Sequence, residues 1–302
     1  KRGSGIANLE SAWDFAHAPT LSQEERELSL FPLRAHCSPK VRRQRLINAW
    51  NRQSLNGRHK GFVGLNRLAR EINKDFNPDL VIDAHSVLRS KLVSFSFKLM
   101  AKKVYSLQKD RSGRKQLLAT KDFENHSLSR MYQLHLNTFL KAGLNVNFDP
   151  NKIHTAPFSL EQDTRDWWLS EKRKLNIGIA PGAKHKSKQW PGENFASFMN
   201  KEQSENTRFF LFGGPEEIDL LKGIGEQSNS DYRILAGRYS LAQEIALMKE
   251  MDLIISHDSS NMHLAAWSGT PVISIWGGTH PAAGFAPYAN EQNILAVPGG
   301  SL

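Results

Sequence analysis

Residues 258–281 read DSSNMHLAAWSGTPVISIWGGTHP, the pattern of a turn, a short helix and a buried strand. The apolar run 251–256 directly before them has the length and the β-branched content of a strand. The triplet 258–260 (Asp-Ser-Ser) supplies helix-capping side chains, and Gly269 ends the helix. The stretch therefore predicts a strand–turn–helix–strand unit with small hydroxyl residues at the helix N-terminus.

A helix start of this kind offers unpaired N–H groups and the positive end of a dipole, which suit a phosphate or diphosphate. His263, one turn into the helix, and the second polar turn 277–280 (Gly-Gly-Thr-His) favour a ligand site over an ordinary capped helix. Asp258 could cap the helix or contact a ligand, and His263 could be a ligand contact or a satisfied buried histidine. The residues leave these pairs of alternatives open.

The chain from residue 175 onward alternates between short apolar strands and amphipathic helices. Such alternation predicts an α/β fold with a parallel, doubly wound sheet that binds ligands at the carboxyl ends of its strands. The predicted strands are 175–180, 208–212, 232–235, 252–256, 271–276 and 293–297, and the predicted helices are 192–201, 215–225, 240–249 and 260–268.

A second α/β region lies between residues 64 and 143, followed by a polar connection at 145–166. We predict a basic, disordered segment at 1–60, a first α/β domain at 61–160 and a second α/β domain at 170–302. The predicted elements of the first domain are helices at 65–74, 86–100 and 123–142 and strands at 79–83 and 103–106.

The composition of the 302 residues, with 39% hydrophobic and 23% charged, is typical of a globular protein. The single cysteine, Cys37, excludes an intramolecular disulfide and a Cys-rich zinc site, and fits a cytoplasmic location. A net charge of +10 predicts an anionic partner. Residues 40–60 hold seven Lys or Arg and no acid, but no nucleic-acid-binding motif, so we expect a solvated segment and no nucleic-acid partner.

Three blocks of the chain resemble family 9 glycosyltransferases, the lipopolysaccharide heptosyltransferase family. They are APGAKHKSKQWPGENF (180–195), LFGGPEE (211–217) and the stretch 258–281, in which Ser260 stands where the family usually has glycine. The run VIDAHSVLRS (81–90) resembles a further block of the first domain. The resemblance covers about residues 57–290.

The resemblance implies the GT-B fold, in which two Rossmann-like, doubly wound domains face each other across a cleft; here the first domain is expected to be incomplete. It implies transfer of a heptose or related sugar from a nucleotide-diphosphate donor, ADP-heptose, to a lipopolysaccharide core acceptor that is lipid-linked or phosphorylated. The chain has no Asp-x-Asp pair, so metal-independent displacement without a cofactor is expected. The net positive charge and a lipid-linked acceptor together predict peripheral contact with the anionic inner face of the cytoplasmic membrane. The sequence leaves the oligomeric state open.

The resemblance implies that the domain at 61–160 is the acceptor-side domain and that the domain at 170–302 binds the nucleotide sugar. It also assigns roles to individual residues. Lys188, Ser259 and Ser260 are expected to contact the donor diphosphate, with Asp258 and His263 beside them. Glu216 is expected at the nucleotide ribose, the alternative being an ordinary first-turn helix glutamate. Arg89 is expected at an acidic acceptor, the alternative being a surface arginine.

Family members open with a buried strand and a glycine–aspartate turn whose aspartate is the expected base. The nearest trace here is SAWDFAHAP (11–19), where Asp14 lacks the glycine. The chain also ends before the family's C-terminal helix, which raises the hypothesis of a truncated or frame-disrupted product. The alternatives to an active transferase are an inactive nucleotide-sugar-binding remnant and a nucleotide-sugar epimerase. We expect nucleotide binding with poor sugar transfer.

Overall fold

The structure is a computed structural model that describes residues 59–123, 125–146, 148, 154–290 and 293–296. The expectations for the basic segment before residue 59, including Asp14, lie outside the described residues. The helices are α1 Gly61–Phe76, α2 Leu88–Leu99, α3 Arg111–Thr120, α4 Met131–Lys141, α5 Gln162–Glu171, α6 Gly192–Glu202, α7 Ile218–Gln227, α8 Leu241–Met248 and α9 Ser260–Ser268. The strands are β1 Leu80–Asp83, β2 Lys103–Ser106, β3 Leu175–Ala180, β4 Thr207–Leu211, β5 Tyr232–Ile234, β6 Leu253–His257, β7 Val272–Trp276 and β8 Ile294–Ala296.

The described residues form two compact units. The first consists of residues 59–110 and 133–148, and its strands β1 and β2 pair in parallel. Its core is an apolar cluster between α1 and α2, formed by Leu65, Ala69, Val93 and Phe97. None of the helices in the described part of the chain is both long and apolar enough to cross a membrane.

The second unit contains residues 111–132 and 154–296 and is built on a six-stranded sheet. All its strands are parallel, in the order β5-β4-β3-β6-β7-β8. The chain therefore fills one half of the sheet from β3 outward to β5, returns, and fills the other half from β6 to β8. This confirms the predicted α/β class and the doubly wound parallel sheet, and it puts the reversal of strand order between β3 and β6.

Both faces of this sheet are covered, and strands β3, β4 and β6 each contain a run of consecutive apolar residues. Consecutive residues Phe209 and Phe210 of β4 are fully buried on opposite faces, the first against α6 and α7 residues and the second against Trp168. A continuous apolar run is what a strand buried on two sides requires.

Two short helices were not predicted. Residues 145–166 were expected to form a polar connection, but α5 begins at Gln162. Its Trp168 is buried against Phe210, with 5.3 Å between the two ring centroids. Helix α3 is mostly polar and buries Leu117. Each has too few apolar positions to show a helical period, and tertiary packing decides its structure.

Two predicted helices were too long. The prediction of one over 123–142 was wrong before Met131, where Leu128 N–H donates to the Ala282 carbonyl and Met131 N–H to the Gly284 carbonyl. The helix predicted from residue 86 begins at Leu88, since Ser86 has a left-handed φ of 50° and its N–H donates to Asp83 Oδ1.

Candidate functional site

Three loops meet at the carboxyl edge of the six-stranded sheet. They follow β3, β6 and β7, which are neighbours in the sheet, and the first two strands flank the reversal of strand order. In open α/β sheets ligands bind outside the carboxyl ends of the strands at such a reversal. The fold therefore directs attention to Lys188, the triplet 258–260 and the turn 277–280.

Asp258 joins these loops through a single carboxylate oxygen. The Lys188 ammonium donates to Asp258 Oδ2 at 2.6 Å, and the Thr279 hydroxyl donates to the same oxygen at 2.7 Å. The Asp258 side chain is 10% exposed and that of Lys188 23%. A cation and a hydroxyl from two separate loops are thereby held beside the start of α9.

Two glycines bring the loop after β7 into backbone contact with the loop after β3. Gly278 N–H donates to the Ser187 carbonyl at 2.7 Å. A Cβ atom on Gly278 would lie 2.8 Å from Ser187 Cβ, and one on Gly277 would lie 2.8 Å from the Ser187 carbonyl oxygen. Only residues without a side chain fit this approach, which holds the short 3₁₀ turn Lys186–Lys188 in place and so positions Lys188.

The N-terminus of α9 lies at the same edge. Its cap residue Ser259 is extended (φ −146°) and makes no capping hydrogen bond with its side chain; instead its hydroxyl lies 3.4 Å from Ser256 Oγ. Ser260 is exposed, and His263, one turn further, is half-buried. First-turn N–H groups that the cap side chain does not occupy form an anion-binding arrangement.

His257, the last residue of β6, is fully buried and connects two of the loops. Its Nε2 accepts a hydrogen bond from Trp190 N–H at 2.7 Å, so the neutral ring carries its proton on Nδ1. Burial lowers the pKa of His257 to about 4, although the backbone of Pro181 and the charge of Asp258 act in the opposite direction. The Trp190 ring packs edge-on against Phe195, with 4.9 Å between the ring centroids.

The turn after β4 carries two adjacent glutamates in different environments. Glu217 Oε2 accepts from Gly214 N–H at 2.8 Å, and its carboxylate fills the space beside Gly182, where a Cβ atom would lie 1.7 Å from Oε1. Burial raises the pKa of Glu217, with the neighbouring charge of Glu216 adding to the effect and the Gly214 hydrogen bond opposing it. Glu216, the residue expected at the ribose, is exposed.

The structure brings five of the expected donor residues to one edge of the sheet: Lys188, Asp258, Ser259, Ser260 and His263. Arg89 is exposed on α2 in the first unit. Sequence reasoning identified the turn 277–280 but gave Thr279 no role of its own, and it missed His257 and Glu217. The hydroxyl directly after two glycines was the available signal for Thr279; the other two depend on burial, which the local sequence does not reveal.

Residues 65–300 match the family model described as glycosyltransferase family 9 (heptosyltransferase). The chain belongs to glycosyltransferase family 9. Within the described residues, no group of three or more His, Cys, Asp or Glu side chains could hold a metal ion.

One relative is the lipopolysaccharide core heptosyltransferase OpsX of Haemophilus influenzae, 26% identical over 78% of this chain and 67% of its own length. Across the curated heptosyltransferases that it matches, the chain spans between 34% and 67% of their length. The crystal structure of a family 9 glycosyltransferase from Veillonella parvula is 22% identical, with a TM-score of 0.60 over 80% of this chain and 70% of that one. The E. coli ADP-heptose LPS heptosyltransferase II is 19% identical, with a TM-score of 0.51 over 77% and 72%. These likenesses support the GT-B type of fold.

Proposed function

We propose that this chain is a glycosyltransferase that moves a heptose from ADP-heptose to a lipopolysaccharide core acceptor. The observation that carries the proposal is the cluster of Lys188, Asp258 and Thr279 beside the N-terminus of α9, at the reversal of strand order. Family membership and the printed names of the relatives supply the sugar, the nucleotide and the acceptor class.

In this proposal the diphosphate of the donor lies at the start of α9. Ser259 and Ser260 donate from their hydroxyls and backbone amides, and the Lys188 ammonium faces the phosphate oxygens. Negative charge grows on these oxygens as the sugar–phosphate bond breaks, so the lysine stabilises the transition state more than the bound donor. This arrangement supplies positive charge without a metal, which is why we propose a metal-independent reaction.

Asp258 and His263 are proposed to contact the donor beside the diphosphate. Because Asp258 is paired with Lys188 at 2.6 Å, its carboxylate adds little net negative charge to the site and can accept a hydrogen bond from a sugar hydroxyl. Glu216 is proposed at the ribose, Arg89 at an acidic group of the acceptor and Asp14 as the base that takes the acceptor proton. The proposed location is the cytoplasm, at the inner face of the membrane where a lipid-linked acceptor is held.

Binding and transfer are tested separately. Calorimetric titration of the full chain with ADP should give saturable binding, and replacing Ser259 and Ser260 together by valine should weaken it by about 1–3 kcal/mol. Ser170→Val, an exposed serine on α5, is the matched control and should leave ADP affinity unchanged. Unaltered ADP binding by the double variant would show that the diphosphate does not bind at the N-terminus of α9.

Transfer is followed by incubating the chain with ADP-heptose and a lipopolysaccharide core acceptor and identifying the products. A heptosylated acceptor together with ADP supports the proposal. Release of a free epimerised sugar would indicate the epimerase alternative, and tight ADP binding with no product would indicate a nucleotide-sugar-binding remnant. Asp14→Asn should abolish the transfer if Asp14 is the base.

A further inference from the structure

Helix α2 of the first unit is apolar on two opposite sides. One side buries Val93 and Phe97 in the core against α1. The opposite side exposes Leu88, Phe95 and Leu99, whose exposed fractions are 75%, 52% and 73%. A surface helix of a water-soluble domain normally presents charged or polar residues on the side away from its core, so this outer side needs an explanation.

The exposed residues form one continuous stripe. Leu88, Leu92, Phe95 and Leu99 are spaced i, i+4, i+7 and i+11, which places them along a single face of a helix. Leu92 is partly buried by the core cluster, and the other three project from it. Lys91 and Lys98 are both exposed and lie at adjoining helical positions along this stripe.

The chain segment that carries the stripe has charges of one sign. Residues 84–109 contain six Lys or Arg and no Asp or Glu. An apolar stripe bordered by cations matches an anionic lipid surface, in which acyl chains receive the apolar side chains and phosphate headgroups neutralise the lysines. A protein partner of ordinary composition would not require this complete absence of acidic residues.

We propose that the outer face of α2, formed by Leu88, Phe95, Leu99, Lys91 and Lys98, docks onto an anionic phospholipid bilayer. The inference rests on the proposed function insofar as a lipid-linked acceptor is held in such a bilayer. The inference adds to the proposed function the surface that contacts the bilayer and the two kinds of interaction, apolar and electrostatic, that hold the protein there. The contact is peripheral: the apolar side chains enter the boundary between headgroups and acyl chains, and the helix lies along the surface.

The test is sedimentation of the full chain with vesicles of phosphatidylcholine containing phosphatidylglycerol. Binding is expected to rise with the phosphatidylglycerol fraction and to fall with added salt. Phe95→Gln with Leu99→Gln should weaken binding about tenfold at every salt concentration. Lys91→Gln with Lys98→Gln should weaken it by about tenfold or more at low salt, and much less at high salt or on pure phosphatidylcholine.

Matched controls carry the same changes elsewhere on the surface. Two control variants change exposed residues of the second unit: Leu169→Gln with Leu220→Gln, and Lys201→Gln with Lys222→Gln. Vesicle binding of each control should stay within twofold of that of the unmodified chain. Thermal unfolding of each variant checks that it is folded. ADP titration of the same variants should be unchanged, so loss of vesicle binding is distinguishable from failure of the proposed donor site.

Equal vesicle binding by the α2 variants and the controls would overturn the proposal, as would no binding of the unmodified chain to anionic vesicles. Size-exclusion chromatography tests the alternative that a second copy of the chain covers the stripe. If the unmodified chain is a dimer, and Phe95→Gln with Leu99→Gln makes it a monomer without changing vesicle binding, the stripe is a contact between copies and the proposal is wrong.

Discussion

At the residue scale, the site depends on one oxygen atom. Asp258 Oδ2 receives hydrogen bonds from Lys188 and Thr279, which come from loops on different strands. A carboxylate held by two donors has little rotational freedom, so the lysine and the hydroxyl are oriented before any ligand arrives. Each donor can be removed separately, and the two removals should have different consequences.

Replacing Lys188 by alanine should weaken ADP binding by on the order of 1.5–3 kcal/mol, because a charged hydrogen bond to phosphate is lost and Asp258 is left without its counter-charge. Turnover should fall further than affinity if, as proposed, the ammonium stabilises charge that grows in the transition state. Calorimetry and initial rates measure the two effects. Lys201→Ala, an exposed lysine on α6, is the control, and equal behaviour of the two variants would show that Lys188 is only a solvated side chain.

Replacing Thr279 by valine keeps the shape of the side chain and removes its donated hydrogen bond. Asp258 keeps its pairing with Lys188 but loses its second restraint, so kcat/KM should fall about fivefold, corresponding to about 1 kcal/mol. The ADP dissociation constant should change less than in Lys188→Ala. Thr120→Val at the exposed end of α3 serves as the control. A Thr279→Val enzyme with unchanged kcat/KM would show that the second restraint does not matter.

At the element scale, backbone contact between loops positions the cluster. The 3₁₀ turn Lys186–Lys188 is held by Gly277 and Gly278 of the loop after β7. Gly278→Ala should push this turn away, weaken ADP binding and lower the free energy of unfolding by about 1–3 kcal/mol. The measurements are ADP titration and urea unfolding.

Gly223→Ala is the matched control for that substitution. Gly223 lies in α7, and a Cβ atom there meets nothing within 4 Å. Alanine is the better helix former, so this variant should gain about 0.5–1 kcal/mol of stability and keep its ADP affinity. If Gly278→Ala behaves like Gly223→Ala, the close approach does not position Lys188.

Sequence patterns predicted the elements with strong periodicity and failed where packing decides. Strand β3 and helix α9 have the predicted ends, because capping or structure-breaking residues lie at their boundaries. Helix α5 was missed because a single buried apolar residue, Trp168, gives no helical period in a polar sequence. The loops of the site were predicted as separate motifs, but the bond between Thr279 and Asp258 depends on the distance between two strands and is invisible in the sequence.

At the scale of the whole molecule, buried groups make stability depend on pH. His257 has a pKa of about 4 when folded and about 6.5 when unfolded. Below pH 6.5 the unfolded chain takes up a proton that the folded chain does not, so the free energy of unfolding falls as the pH drops from 6.5 towards 4, by up to about 3 kcal/mol. Burial also lowers the pKa of His280, so this residue changes the free energy of unfolding in the same direction.

Urea unfolding between pH 4 and pH 8 measures this dependence. His257→Gln retains an acceptor for Trp190 N–H but cannot titrate, so its stability should change less over this range than that of the unmodified chain. His185→Gln, an exposed histidine, should leave the slope as it is. A slope unaltered by His257→Gln would mean that other groups carry the dependence.

The strand order of the second unit has a kinetic consequence. The residues of the proposed donor site lie far apart along the chain and come together once β6 has paired with β3 and β7 with β6. Parallel pairing between distant segments requires closing long loops, and such contacts form slowly. If the site is completed after the rate-limiting step of folding, bound ADP stabilises the native state without stabilising the transition state. ADP should then lengthen the lifetime of the folded protein and leave its refolding rate unchanged.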